Sequence, residues 1–147
     1  MCAAMAGDHS NRSTAIFDAV LDAFNDRAWD TLVDLYADDF FVEDRRAGLA
    51  NSASGKAGSL DGWRVVADLG GFCTSRDHLS VIDNHLSVTA VRFMGDDRTE
   101  GAPLVDVVFL TELDTAGRIV RAVLLEADQA QWAIDEIGRR SAGERSA

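Results

Sequence analysis

In the first half of the chain, apolar residues recur with the period of an α-helix. One helix is predicted from Ser13, which fits an N-cap, through Phe24, and a second from Asp30 through Tyr36. A third is predicted from Ser59 to the pair Gly70-Gly71, because glycine readily adopts the left-handed conformation that ends a helix. Three helices therefore precede most of the strands.

Alternation of apolar and polar residues, which is typical of strands, marks much of the remaining chain. A first strand is predicted at Phe40 to Arg46, followed by a Gly/Ser/Ala-rich loop from Ala47 to Gly58. Four later strands form a meander, joined by turns at Asp83-Asn84, at Gly95 to Gly101 and at Asp114 to Gly117. These strands are His78 to Ile82, His85 to Met94, Leu104 to Leu113 and Arg118 to Glu126.

The predicted fold class is α+β, with a curved antiparallel sheet covered by the three N-terminal-half helices. Asp128 and Gln131 have the spacing of a capping box that opens a C-terminal helix, and Gly138 is expected to end it. Residues 13–138 form a single domain in this prediction. The polar ends, 1–12 and 139–147, are expected to be disordered.

The last two predicted strands are apolar on both faces. Their inward parity includes Val107 and Phe109, and their outward parity is made of Val108, Leu110, Val123 and Leu125. A sheet that is apolar on both sides must be covered on both sides. The C-terminal helix or a second copy of the protein must therefore cover the outer face.

Composition restricts the partners of the protein. The 147 residues are 47% hydrophobic and 27% charged, which is typical of a globular domain. The net charge of −11 excludes nucleic acid and anionic membrane surfaces, since both require a basic face. No segment approaches the roughly 20 apolar residues that span a bilayer, and the first residues lack the pattern of a signal peptide.

The cysteines and histidines indicate no metal or redox chemistry. Cys2 and Cys73 lie far apart and form no C-x-x-C pair, while His9, His78 and His85 lack metal-ligand spacing. We therefore expect no disulfide, no structural zinc and no cofactor. Two reduced cysteines would suit the cytoplasm.

Two stretches of sequence resemble the SnoaL-like or nuclear-transport-factor-two-like superfamily, which includes polyketide cyclases and ketosteroid isomerases. YADDFFVEDRR resembles the segment that opens the sheet in these proteins, and ELDTAGRIVRAVLLEADQ resembles their final hairpin. The resemblance covers Thr14 to Ile137 and the order of the elements. Similar segments also occur as C-terminal modules of actinobacterial regulatory proteins.

The resemblance implies a cone-shaped fold that encloses a pocket, and a homodimer through the outer face of the sheet. Members of the superfamily include isomerases, dehydratases, cyclases, epoxide hydrolases and non-catalytic modules, so the fold does not decide the activity. Two hypotheses follow: a dimeric module that binds a small apolar ligand or a protein partner, and a cofactor-free lyase or isomerase. The residues expected to line the pocket are Tyr36, Phe40, Val42, Trp63, Val107, Phe109 and Leu124.

Asp44 is the candidate general base of the enzyme hypothesis. Aligned without gaps, it takes the position of the general base in ketosteroid isomerase. An inward carboxylate beside Phe40 and Val42 would be partly desolvated and therefore more basic. The alternative is a strand-end aspartate that pairs with Arg45 or Arg46 or caps the following loop, and the sequence leaves both readings open.

The rest of the isomerase site is missing. Its two oxyanion donors fall on Val20 and Phe109, which cannot donate a hydrogen bond, so steroid isomerisation is not expected. Two further catalytic candidates are Glu126, which is otherwise a helix cap, and His85, which is otherwise a surface residue beside a turn. Arg92 either anchors an anion in the pocket or lies at the dimer face.

Overall fold

A computed structural model of the chain describes residues 3–4, 10–46, 51–95 and 105–146. It contains seven strands and four helices, and it confirms the predicted α+β class. The strands are β1 Ala3–Ala4, β2 Tyr36–Asp44, β3 Asn51–Ser54, β4 Phe72–Ile82, β5 Leu86–Met94, β6 Val105–Leu113 and β7 Ile119–Glu126. The helices are α1 Arg12–Asn25, α2 Trp29–Val33, α3 Gly55–Asp68 and α4 Ala130–Ser146, with a short 3-10 turn, Ala127–Gln129, before α4.

The strands form one curved, unclosed sheet in the order β1-β4-β5-β6-β7-β2-β3. Strands β4 to β7 are the predicted antiparallel meander, and β2 joins its end in parallel with β7. Register shifts interrupt the β2–β7, β4–β5 and β6–β7 pairings. Such irregularities bend strands locally, and here they accompany the curvature of the sheet.

Strand β2 begins earlier than the sequence pattern predicts. Helix α2 ends at Val33, so Tyr36 opens the strand instead of closing the helix. Asp38 and Asp39 are exposed within a register shift between Tyr36 and Phe41. Tyr36 and Phe40 lie four positions apart and are both buried, because residues an even number of positions apart in a strand share one face.

Helix α1 is capped by Asn11 and not, as predicted, by Ser13. The Asn11 side chain accepts from the Thr14 backbone N–H at 2.9 Å and donates to the Asp83 carbonyl at 3.1 Å. Ser13 lies inside the helix and is fully buried, with its Oγ 2.8 Å from that of Ser87. The cap therefore also fixes the predicted β4–β5 turn, where Asp83 adopts a positive φ.

The inner face of the sheet carries the larger hydrophobic cluster. Helix α1 packs against β4, β5 and β6, and α3 packs against β2 and β3. Aromatic rings connect the two helices across the interior, since the ring centres of Phe24 in α1 and Trp63 in α3 lie 5.2 Å apart. The cluster includes Phe17, Val20, Leu21, Phe24, Phe40, Trp63, Phe93 and Phe109.

Helix α4 covers the outer face of the sheet. It places Ala133 and Ile137 on the predicted outward set, Val108, Leu110, Val123 and Leu125, and all six residues are buried. The sequence allowed either the C-terminal helix or a second copy of the protein to cover this face, and in the structure the helix covers it. The burial of these four strand residues therefore requires no partner subunit.

The predicted boundaries around α4 are wrong at both ends. The cap that precedes it pairs Glu126 with Gln129 instead of Asp128 with Gln131. Gly138 does not end the helix, which continues to Ser146. Ser141 is buried and its Oγ donates to Asp83 Oδ2 at 2.9 Å, so the helix is still packed against the fold three residues beyond Gly138.

The structure also changes two predicted loop or end segments. Strand β3 and the start of α3 occupy residues 51–58, where a loop was predicted, because Ser54 begins the helix before Ser59. Part of the expected disordered N-terminus, Ala3–Ala4, forms β1. Most of the predicted turn from Gly95 to Gly101, residues 47–50 of the predicted loop and most of 1–9 lie outside the described residues.

Cys73 is disulfide-bonded, so the expectation of free thiols is wrong for this residue. Strand β1 runs parallel to β4 with Ala3 opposite Ser75, which brings the beginning of the chain beside Cys73. Cys2, the other cysteine of the sequence, lies outside the described residues.

No helix in the described part of the chain is long and apolar enough to cross a membrane.

A buried arginine joins α1 to β4. Arg76 is 3% exposed and donates to Asp18 Oδ1 and to Asp22 Oδ1, both at 2.7 Å. His78 Nε2 lies 2.9 Å from the same Asp18 oxygen, and its Nδ1 lies 2.8 Å from Thr89 Oγ1. Asp18 and Asp22 of α1 therefore hold the helix on the sheet.

The cover on the outer face gives the first prediction. Replacing Ile137 by Ala should lower the free energy of unfolding by about 3 kcal/mol, because it leaves a cavity between α4 and the sheet. Gln131→Ala, on the exposed side of the same helix, should change it by less than about 0.5 kcal/mol. Urea unfolding measures both, and equal effects would show that α4 does not cover the sheet in solution.

The Arg76 cluster gives a prediction about pH. Burial alone would raise the pKa of Asp18, but hydrogen bonds and charge from His78 and Arg76 lower it below the ordinary 3.8. The ionised carboxylate therefore stabilises the fold above the ordinary pKa, and this stabilisation is lost as the pH falls through the folded-state pKa. Asp18→Asn should cost about 1 kcal/mol near neutral pH, with solvent screening included, and flatten the loss of stability in acid.

Urea unfolding over a pH series checks this expectation. Asp39→Asn is the matched control, since Asp39 is exposed on β2. Identical pH profiles for the two variants would contradict the stabilising role of Asp18.

Candidate functional site

A cavity of about 740 Å³ lies between α3 and the inner face of β6, β7 and β2. Its volume is within the range of small-molecule sites, about 300–1,000 Å³. The structure brings Asp44 and all the residues predicted to line a pocket into this lining: Tyr36, Phe40, Val42, Trp63, Val107, Phe109 and Leu124. Phe17, Val66, Phe93, Val105, Ile119 and Ala122 add further apolar surface.

The register of the strands explains why these residues meet. In one row across the sheet, Phe109 of β6 lies opposite Leu124 of β7, and Leu124 lies opposite Asp44 of β2. The next inward row places Ala122 between Thr111 and Val42. Residues in the same row on one face of a sheet point the same way, so the cavity floor is set by the strand pairing.

Aromatic side chains form one wall of the cavity. The rings of Trp63 and Phe109 are parallel within 2° and 5.6 Å apart. Trp63 Nε1 donates a hydrogen bond of 2.9 Å to the Tyr36 hydroxyl, and Tyr36 is 3% exposed. Burial raises the pKa of Tyr36 above its ordinary value, although the bond from Trp63 opposes the shift. Tyr36 therefore keeps its proton and remains a hydrogen-bond donor.

The mouth of the cavity is apolar and lies along α3. Val65 and Leu69 belong to the lining, yet they are 61% and 65% exposed. They lie one helical turn apart, and Asp61, one turn earlier on the same side, is exposed at the rim. Large apolar side chains exposed at a cavity entrance are typical of a site that an apolar molecule enters.

Asp44 lies in the lining but its carboxylate is engaged by Arg46. Oδ1 accepts from the Arg46 backbone N–H at 3.1 Å and from Nε at 2.9 Å, and Oδ2 accepts from Nη2 at 2.6 Å. The side chains of Asp44 and Arg46 are only 13% and 18% exposed. This two-pronged pair is the arginine alternative that the sequence left open, and it engages both oxygens of the carboxylate that a general base would use.

The other candidate residues lie elsewhere. His85 is in the turn between β4 and β5, and Glu126 is an exposed cap at the end of β7. Arg92 is exposed on the outer face and forms a two-pronged pair with Asp106, at 2.9 and 3.1 Å. Of the two predicted oxyanion positions, Phe109 lines the cavity, while Val20 is buried in α1 outside the lining.

Sequence reasoning missed three polar residues of the lining: Thr111, Asp61 and, as a pocket residue, Arg46. Thr111 is 1% exposed, and its Oγ1 has no hydrogen-bond partner within residues 10–46, 51–95 and 105–146. The parity of β6 could have identified it, because Thr111 follows Val105, Val107 and Phe109 on the inward side. Asp61 could not be found, since its position depends on where α3 begins.

The cavity suits an uncharged apolar molecule better than a metal ion or an anion. In the described segments, no cluster of three or more His, Cys, Asp or Glu side chains could hold a metal. Arg46 and Asp44 of the lining neutralise each other. The cavity presents aromatic and aliphatic surface and a few fixed polar groups to a ligand, which is the usual composition of a small-molecule pocket.

Comparison with known proteins places the fold. Neither a family model nor a curated protein sequence matches the chain. A protein from Sinorhizobium meliloti, provisionally named a polyketide cyclase, matches with a TM-score of 0.57 at 22% identity, over 76% of this chain and 94% of that one. A SnoaL-like family protein from Agrobacterium tumefaciens, provisionally named an isomerase, matches at 0.56 and 18%, over 77% and 95%.

A computationally designed binder of 17-OHP also matches, with a TM-score of 0.63 at 14% identity, over 79% of this chain and 91% of the designed one. Identities this low establish a shared fold and not a shared activity. The chain therefore has the fold of the SnoaL-like and nuclear-transport-factor-two-like superfamily, as its stretches at residues 36–46 and 112–129 predicted.

Proposed function

We propose that the protein is a module that binds a small apolar molecule in the cavity under α3, without catalysing its conversion. The observation that carries this proposal is the engagement of Asp44 by Arg46 in a mostly apolar lining. A cavity of this size can bury most of a drug-sized ligand, and its exposed apolar rim provides the entrance. The designed 17-OHP binder supports the proposal by analogy, because it holds a ligand on a similar fold.

Assembly, partners and location belong to the same proposal. A homodimer remains a prediction, and α4 leaves the apolar outer face covered within one chain. A dimer or a protein partner would therefore bind to α4 or to the more polar outer surface near Arg92 and Asp106.

A cytoplasmic location also remains a prediction, and the disulfide at Cys73 argues against it because disulfides are rare in reducing compartments.

The second candidate is a cofactor-free lyase or isomerase with Asp44 as general base. Its support is that Asp44 lines the cavity beside apolar residues, in the same lining as the neutral Tyr36 hydroxyl. For this function a ligand would have to draw Arg46 away and free a carboxylate oxygen. His85 and Glu126 have no part in it, since neither is among the cavity-lining residues.

Filling the cavity tests the binding proposal. Nile red, a neutral apolar dye whose emission rises in apolar surroundings, is expected to bind the protein. Ala122→Trp places a large ring on the cavity floor and should weaken dye binding at least about tenfold, a loss of about 1.4 kcal/mol. Fluorescence titration measures the affinity.

The matched control is Arg121→Trp, which adds the same ring one position earlier, on the exposed side of β7. It should leave the affinity unchanged, and circular dichroism should show both variants folded. Equal weakening by the two variants, or tight binding retained by Ala122→Trp, would contradict binding in this cavity.

The enzyme candidate is tested by proton exchange at carbon. We expect the methyl ketone β-acetonaphthone in heavy water to gain deuterium no faster with the protein than in buffer, since Arg46 occupies the Asp44 carboxylate. Asp44→Asn should leave this slow rate unchanged. Mass spectrometry measures the uptake. Exchange catalysed by the wild type, lost in Asp44→Asn and kept in Asp61→Asn, would establish the enzyme instead.

A further inference from the structure

Two buried hydroxyl groups of the cavity have hydrogen-bonding capacity that the protein does not use. Thr111 Oγ1 is the clearer case, because Thr111 is 1% exposed and this oxygen has no partner in the described part of the chain. Its backbone carbonyl does accept a hydrogen bond, from Ser13 Oγ at 3.4 Å, so the residue is held in place while its side chain is not satisfied. Burying a hydroxyl without a partner is unfavourable, and native structures rarely retain one without a reason.

The second hydroxyl is that of Tyr36. It accepts the Trp63 Nε1–H, and no acceptor for its own proton lies within the described segments. Tyr36 and Thr111 line the same cavity from two strands that both flank β7: Tyr36 lies opposite Ile119 of β7, and Thr111 lies opposite Ala122 of β7. All four residues line the cavity.

We propose that Thr111, with Tyr36, is the polar anchor of the cavity and selects apolar ligands that carry an uncharged oxygen, a ketone or a hydroxyl, at their buried end. This inference rests on the proposed binding function and deepens it. Both groups can donate to a ligand oxygen, and Thr111 can also accept from a ligand hydroxyl. The ligand then satisfies hydroxyls that are unsatisfied in the unliganded protein.

The charged residues of the lining explain why the ligand oxygen must be uncharged. The charged residues among the described lining are Asp44, Arg46 and Asp61; Asp44 and Arg46 pair with each other and Asp61 is exposed at the rim. A carboxylate at the level of Thr111 would be desolvated without a cation beside it, which is strongly unfavourable. A ketone or an alcohol loses much less hydration and gains the hydrogen bonds.

A matched series of probes tests the anchor: naphthalene, β-naphthol, β-acetonaphthone and β-naphthoate, which share one ring system. The wild type should bind the alcohol and the ketone about five- to tenfold more tightly than naphthalene, the gain expected for one or two hydrogen bonds. The carboxylate should bind more weakly than naphthalene. Competition against Nile red fluorescence gives all four affinities.

Thr111→Val keeps the shape of the side chain and removes the hydroxyl. It should abolish most of the preference for the oxygenated probes, leave naphthalene affinity unchanged, and raise the melting temperature of the unliganded protein by about 3 °C because an unsatisfied hydroxyl is removed. Thr111→Ser keeps the hydroxyl and should retain the preference. Unchanged naphthalene binding shows that the valine variant is folded.

The outcomes separate the two proposals. Naphthalene binding without a preference for oxygen, or a preference that survives Thr111→Val, overturns the anchor and leaves the binding module intact. Failure of all four probes and of Nile red to bind the wild type overturns both. A preference that disappears in the valine variant and persists in the serine variant supports the anchor.

Discussion

A sheet that is apolar on both faces cannot stay open to water, and this constraint determines the architecture of the chain. Strands β6 and β7 direct apolar side chains to both sides, so each side needs a cover of its own. Helix α4 seals the outer face closely. On the inner face, α1 packs over β4 to β6 and α3 over β2 and β3, and the two helices together leave a gap above the middle strands. The cavity is this incompletely covered part of the inner face.

The chemistry of the site follows from the same geometry. The inward-facing residues of the strands are mostly apolar and form the cavity floor. The chemistry of the site therefore depends on the few inward-facing polar groups. Asp44 lies at a strand end, where Arg46 can turn back and hold its carboxylate. Thr111 lies in the second half of β6, where no side chain of the described segments reaches its hydroxyl. The first arrangement supports the proposal that Asp44 is not a general base, and the second is the basis of the proposed ligand anchor.

Strand parity and helical period allowed much of this structure to be predicted from sequence. The meander, the outward set on β6 and β7 and the inward residues near Phe109 all depend on local alternation, which the sequence displays directly. Features that depend on distant contacts could not be predicted. The start of β2 at Tyr36 depends on a strand irregularity, the extension of α4 past Gly138 depends on contacts such as Ser141 with Asp83, and the disulfide at Cys73 depends on the β1–β4 pairing.

Whether the interior is an open apolar cavity in the folded protein is the claim on which the functional account depends. A crystal structure under xenon pressure tests it most directly, because xenon occupies dry apolar cavities without needing a specific ligand. The account predicts xenon between the Trp63–Phe109 pair and Ala122, with the side chains around it unmoved. Xenon absent from this space, with α3 closed onto the sheet so that Trp63 contacts Ala122 directly, would contradict it.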